Sequence, residues 1–370
     1  MADRDDYALK SAPARQVRAP DLPYRPPMPR TYRPKIALVG AGGISFAHLD
    51  AYRAAGFDVA VICSRDLGKA RARAAEFYPE AEAATDYAGV LSRQDIEVID
   101  LTPHAEERVP LMLAALSAGK HVLSQKPFVT DIATGERLAD LAETKGVKLA
   151  VNQNGRWAPH LSWMRHAVRA GLIGELLSVH VSIHWDHRWI GGTPFEDIHD
   201  IVLYDFGIHW FDFVTSLTGR LADAVQAQTV RAVGQVMRPP MLASALMRFP
   251  GAQASLIFDA HTPYGASDTT YVAGTKGSLI SRGPNLGEQA VELHTAAGVA
   301  RPRLKGQWFN DGFAGAMGEL LLAIEEDREP ENGARANLMS LANCFAAVAA
   351  ARSGQAMSPG AVRRLPEGAQ

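Results

Sequence analysis

Ile36-Ala37-Leu38-Val39-Gly40-Ala41-Gly42-Gly43-Ile44-Ser45 passes from four apolar residues through a glycine-rich turn into an amphipathic stretch that ends at Ala55. An apolar run this short, closed by glycine, reads as a buried strand, and the segment after it reads as a helix. Gly40 permits the sharp turn, and Gly42 lets the backbone approach a phosphate at the positive end of that helix. Gly40, Gly42, Gly43 and Ile44 are therefore expected to hold a dinucleotide, although Ser45 stands where the fingerprint has its third glycine.

The same strand-then-helix grammar continues outward. Val59–Cys63 precedes a helical stretch at Leu67–Phe77, Val98–Leu101 precedes Val109–Ala118, His121–Leu123 precedes Ile132–Lys145, and Leu149–Val151 closes the series. Such alternation implies parallel strands with right-handed crossovers, hence a doubly wound Rossmann sheet over residues 35–151. Beyond it Ser178–Trp185 alternates apolar and polar side chains, as a half-buried strand does. Further strands are expected at Val225–Val233, Leu242–Phe249, Ala252–Phe258, Tyr271–Ala273 and Leu279–Ser281, with a hairpin turning at Pro250-Gly251. Residues 152–357 thus read as an α+β domain with a mostly antiparallel open sheet. Its helices, expected at Leu161–Ala170, Ile201–Leu217, Phe313–Glu326 and Ala336–Ala351, would cover one face. The uncovered face invites pairing into a homodimer or homotetramer.

The ends differ. Residues 1–34 hold seven of the 22 prolines and predict an extended arm, either disordered or laid across a neighbouring subunit; residues 358–370 read as a short tail. The chain has 370 residues, too many for one ordinary domain, and 38 basic against 40 acidic side chains give a formal charge of −2. That balance disfavours nucleic acid and anionic membrane as partners and favours a small molecule. Two cysteines, Cys63 and Cys344, make no disulfide framework, and with no apolar run of membrane length or targeting segment the expectation is a cytoplasmic protein.

In a dinucleotide domain the second strand ends where the adenosine ribose is read. Ser64-Arg65 stands there, and a hydroxyl followed by a cation suits a 2′-phosphate better than a carboxylate does, so NADP is favoured over NAD. Asp66 reads as the cap of the next helix.

Two further patterns carry chemistry. Lys126 follows a parallel strand at its carboxyl end, where open α/β sheets bind ligands. In Asp205-Phe206-Gly207-Ile208-His209-Trp210-Phe211-Asp212, positions 205, 209 and 212 share one face of a helix. His184-Trp185-Asp186-His187-Arg188-Trp189 leaves the first strand of the second domain with aromatic faces and hydrogen-bonding groups suited to a polyhydroxylated substrate. Arg156 and Trp157 are expected to bracket the same cleft. Five of the 12 histidines fall between residues 180 and 209, without metal-ligand spacing, so no metal is expected.

Together the glycine turn, Thr102-Pro103-His104, Gly119-Lys120-His121-Val122 through Lys126-Pro127, Arg156-Trp157 with Pro159, Asp205–Asp212 and Gly274-Thr275-Lys276-Gly277-Ser278-Leu279 resemble the Gfo/Idh/MocA oxidoreductases, which are sugar and polyol dehydrogenases. The resemblance spans about residues 34–357. It implies that Lys126 is the active-site lysine, that Asp205 and His209 are an acid/base pair, and that Thr102, His104, Gln125 and Lys126 lie along the coenzyme. Gln125 departs from the family, which usually carries Glu before the lysine. The activity so implied is hydride transfer between NAD(P) and a small sugar, an aldose giving a lactone foremost, or a polyol. Arg156, Trp157, His184, Trp185, Arg188, Asp205 and His209 would bind the substrate. The alternatives are a nicotinamide-dependent glycosidase and a non-catalytic nucleotide-bound sensor.

Overall fold

The computed structural model describes residues 14–366. After a short strand β1 (Gln16–Val17), the first unit runs β2 (Lys35–Val39), α1 (Ser45–Ala55), β3 (Asp58–Cys63), α2 (Leu67–Phe77), β4 (Glu82–Ala84), α3 (Tyr87–Ser92), β5 (Ile96–Leu101), α4 (Ala105–Ser117), β6 (His121–Ser124), α5 (Ile132–Lys145) and β7 (Leu149–Val151). Its six strands are all parallel, in the order β4-β3-β2-β5-β6-β7. The expected doubly wound sheet is present. β4 and α3 are additions, too short and too weakly patterned to stand out in the sequence.

The second unit contains α6 (Pro159–Arg169), β8 (Leu176–His184), α7 (Ile208–Thr218), β9 (Ala224–Val230), β10 (Leu242–Phe249), β11 (Ala252–Asp259), β12 (Ser267–Gly274), β13 (Gly277–Asn285), β14 (Glu288–Thr295), β15 (Gly298–Ala300), α8 (Trp308–Glu325) and α9 (Ala334–Ser353). Nine strands form one sheet, in the order β1-β15-β14-β13-β12-β8-β11-β10-β9. It is mostly antiparallel, with β8 parallel to β11 and β1 parallel to β15. The hairpin between β10 and β11 turns at Gly251, whose φ of 72° suits glycine. Along β8, Val179, Val181 and Ile183 are buried towards the helices, while His180, Ser182 and His184 alternate onto the open face.

Three expectations change. The helix expected at Phe313–Glu326 does not cover the second sheet. As α8 it packs on α1, and Phe313, Met317 and Leu320 join Ile36, Leu38 and Tyr52 in the first unit's core. Glycines set this placement: a Cβ on Gly312 would lie 2.6 Å from the Asn154 carbonyl oxygen, and one on Gly315 would lie 2.3 Å from Trp157 Cγ. The helix expected to run unbroken from Ile201 to Leu217 is instead a π-helical turn over Val202–Phe206 followed by α7. Finally, residues 14–34 of the arm lie on their own chain. β1 extends the large sheet, and Glu325 accepts from the backbone N–H groups of Arg30, Thr31 and Tyr32 at 2.7, 2.6 and 3.0 Å. Residues 1–13 of that arm and 367–370 of the tail lie outside the described residues. The described part of the tail pairs with the start of α5, through Ile132 N–H to the Arg363 carbonyl and Leu365 N–H to the Thr130 carbonyl, both 2.8 Å.

Candidate active site

At the end of β2, Gly40 adopts φ 102°, and a Cβ there would lie 2.4 Å from Thr102 Oγ1. Only glycine fits. Thr102, just past β5, donates its hydroxyl to the carbonyls of Gly40 and Val39 at 2.7 and 3.1 Å, tying the turn to the neighbouring strand. In front of α1 the space beside Gly42 and Gly43 is open, with nothing within 4 Å of a Cβ at either. Ser45 is compatible with this turn because its hydroxyl folds back to donate to the Gly42 carbonyl at 2.6 Å. A tight turn, an open glycine pair and a helix N-terminus fit the pyrophosphate of a dinucleotide, with Ile44, Thr102 and His104 lining the adjoining cleft. Farther along, Arg65 is exposed and reaches Glu107 at 2.9 Å, while Asp66 caps α2 by accepting from Gly68 N–H and Lys69 N–H. The carboxylate of Asp66 is therefore engaged as a cap rather than free at the end of β3.

Behind the turn lies a cluster that sequence reading missed. Asp100 Oδ2 accepts from Tyr52 at 2.8 Å and lies 2.7 Å from His48 Nδ1, and all three side chains are fully buried. The His48 Nδ1 proton therefore points at the carboxylate. His48 Nε2 faces Gln125 Nε2 and Asn152 Nδ2 at 3.4 and 3.3 Å, and Gln125 Oε1 accepts from Lys126 N–H at 2.7 Å. A histidine ring is thus linked through Gln125 to the lysine backbone. The available signal was Asp100, a carboxylate inside an otherwise core-forming parallel strand.

Lys126 stands beyond the end of β6, and its Nζ donates to the Asp205 carbonyl at 2.9 Å and to Asp205 Oδ2 at 3.0 Å. His209 lines the same cleft. Its Nδ1 is enclosed without a hydrogen-bond partner among the described residues, near Gly155 and 5.4 Å ring to ring from Trp308, leaving Nε2 as the nitrogen open to the cleft. Desolvation and the Lys126 ammonium hold His209 well below the usual histidine pKa, so at neutral pH it is an uncharged proton acceptor. Trp308 Nε1 donates to Asn154 Oδ1 at 2.7 Å, fixing one wall.

The predicted polar stripe divides. The π-helical turn inserts an extra residue before α7, and Gly207 N–H bonds the Val202 carbonyl at 2.8 Å. Asp205 consequently serves Lys126, and no hydrogen bond joins it to His209. Asp212 turns inward, where Arg156 Nε and Nη2 donate to its two oxygens at 2.7 and 2.8 Å and Ser340 adds a third bond at 2.8 Å.

Arg156 and Trp157 therefore do not bracket the cleft: the first is buried in that ion pair and the second is packed under α8. His184 is also elsewhere. The strand alternation puts it on the open sheet face, bonded to Asp259 and Ser182, each at 2.8 Å. Arg188 is exposed on its loop and held by Asp186 at 2.7 and 2.8 Å. Trp185 does line the cleft, as do His187 and Trp189 beside it. The cleft itself, about 1120 Å³, joins the glycine turn's side to Lys126 and the second unit. Among the described residues no cluster of histidine, cysteine and carboxylate side chains has the arrangement of a metal site. No described helix is long and apolar enough to cross a membrane.

Comparison with known proteins agrees with this layout. Residues 34–153 match the profile of an oxidoreductase family with an NAD-binding Rossmann fold, and residues 162–280 match the Gfo/Idh/MocA C-terminal domain. A D-apiose dehydrogenase of Paraburkholderia graminis is 31% identical over 195 residues, covering 51% of this chain and 52% of that protein. The chain thus spans about half the length of that relative. An inositol 2-dehydrogenase of Rhizobium meliloti is 25% identical over 323 residues, covering 85% of this chain and 96% of the relative. The fold matches that of an Agrobacterium radiobacter oxidoreductase solved with NAD+, L-tartaric acid and magnesium, at TM-score 0.79 and 20% identity over 89% of this chain and 99% of that one. With both of its units matched, the chain belongs to the Gfo/Idh/MocA family of NAD-binding oxidoreductases.

Proposed function

We propose that the protein is an NAD(P)-dependent dehydrogenase of a sugar or polyol, an aldose oxidised to its lactone foremost. The observation that carries this reading is the convergence of Lys126, paired to Asp205, and the uncharged His209 on one cleft that also opens onto the glycine turn. Bound nicotinamide would supply the hydride acceptor. The chain's own groups do the rest: Lys126 Nζ hydrogen-bonds the carbinol oxygen and stabilises the charge developing there, and His209 Nε2 takes the hydroxyl proton. Asp205 anchors the ammonium rather than the imidazole. NADP is favoured because Ser64 and Arg65 stand where a carboxylate would repel a 2′-phosphate.

The names of the relatives, D-apiose dehydrogenase and inositol 2-dehydrogenase, support a small polyhydroxylated substrate. A panel of aldoses and polyols, with each nicotinamide coenzyme and followed by the absorbance of the reduced form, tests the reading. Coenzyme binding without reduction by any member would overturn it. The open face of the large sheet, where Leu246, Ile257 and Tyr271 are exposed, is proposed as the contact between copies of the chain.

A further inference from the structure

One wall of the cleft is built of rings. From His104 it steps to Phe195 at 5.8 Å between centroids, to Trp189 at 5.5 Å and to Phe206 at 6.3 Å, with His187 stacked on Phe206 at 4.4 Å. The wall is rigid as well as long. Trp189 Nε1 donates to His187 Nδ1 at 2.9 Å, which fixes the indole although 52% of the residue remains exposed. A half-exposed tryptophan held by a side-chain bond inside a cleft is apolar surface that a ligand can cover.

The polar groups around this wall narrow the ligand further. Lys126 is bonded to Asp205, Arg108 to the carbonyls of Pro103 and Pro127, Arg352 to Asp200 and Arg364 to Asp131. Every ammonium and guanidinium group among the described lining residues is thus already engaged. A phosphate or carboxylate on the substrate would have to compete with one of these bonds. Each ring-to-ring step is comparable to the width of one pyranose ring, so a single monosaccharide covers only part of this wall.

We propose that the cleft accepts a neutral glycoside whose flat, apolar aglycone lies against Trp189 and Phe195 while a sugar carbinol sits at Lys126. This rests on the dehydrogenase reading in its secondary-carbinol form and names its substrate class: a glycoside has no free anomeric hydroxyl, so the product is a ring ketone and not a lactone. The aglycone contributes no chemistry; it supplies binding energy at a distance from the reacting carbon.

The test uses the full chain saturated with coenzyme and matched phenyl and methyl glycosides of several sugars. Phenyl glycosides should exceed their methyl partners in kcat/KM by about tenfold, the size of one aromatic contact. Trp189→Ala and, separately, Phe195→Ala should bring that ratio towards unity. Equal rates for the two series, or a ratio untouched by both substitutions, would overturn the proposal and leave the dehydrogenase reading standing. Calorimetry of phenyl glycoside binding to the coenzyme-saturated protein separates the two ideas from the other side. Trp189-dependent binding of phenyl glycosides by a chain that reduces coenzyme with no glycoside, aldose or polyol would support the subsite and overturn the dehydrogenase.

Discussion

Lys126 Nζ lies 2.9 Å from the carbonyl oxygen of Asp205 and 3.0 Å from its Oδ2, so a single side chain joins the strand ends of the first sheet to the π-helical turn of the second unit. One carboxylate and one carbonyl share the ammonium. A third donor direction remains for the oxygen of a substrate. Lys126→Ala and Asp205→Asn should each lower kcat by about 10² to 10⁴, with coenzyme affinity, read by fluorescence titration, essentially unchanged. If Asp205→Asn keeps its kcat, the pair serves only to hold the two units together.

Coenzyme choice is expected to follow the end of β3. Ser64→Asp places a carboxylate where the ribose is read, and should shift the ratio of kcat/KM values towards NAD by about tenfold or more. Arg65→Ala should weaken NADP more than NAD. Unchanged ratios in both variants would refute the NADP preference.

Arg156 and Asp212 form a bidentate pair in the interior, and neither lines the cleft. Removing one partner leaves a buried charge alone, so Arg156→Ala or Asp212→Ala should cost about 3–5 kcal/mol in urea unfolding. An exposed pair such as Arg93 with Glu82 at 2.7 Å should cost about 1 kcal/mol or less. A loss of activity in Arg156→Ala at unchanged stability would contradict this placement.

Asp268 lies on the core face of β12, with Oδ2 lacking a partner among the described residues, and desolvation pushes its carboxyl up to about 7. The fold favours the protonated form. Stability from this group is therefore greatest below the ordinary carboxylate range and falls as pH rises from about 4 to about 7, by on the order of 3–4 kcal/mol. Asp268→Asn should raise the urea midpoint at pH 8 and leave it nearly unchanged at pH 4. A midpoint difference independent of pH would show that the carboxyl is not held protonated.

The open sheet face makes its own prediction. Leu246→Glu together with Ile257→Glu should convert an oligomer into a monomer in light scattering, because two charges would enter a contact built of Leu246, Ile257 and Tyr271. A wild-type chain already monomeric at micromolar concentration would reject the contact.

The order of strands and helices in the first unit was readable because parallel core strands are continuous apolar runs, and Leu67–Phe77 and Ile132–Lys145 have the expected ends. Lys126, Asp205 and His209 do meet at one cleft. The roles within that group were less legible, since helical periodicity assigns Asp205 and Asp212 to one face and a single π-helical turn separates them. Arg156 was misplaced for a different reason: its partners, Asp212 and the Glu331 carbonyl, are distant in sequence. The His48–Asp100–Tyr52 cluster also draws its members from separate elements, and only the anomaly of Asp100 betrays it.

The arm that clasps Glu325 has a mechanical consequence. Its residues run along α8, from an edge strand of the larger sheet to the first strand of the smaller one. Pro20, Pro23, Pro26, Pro27 and Pro29 deny this stretch a helix that could be drawn out. An extended chain has a fixed maximum reach. The two units are consequently joined along α8 by a strap with little slack, which limits how far they can part.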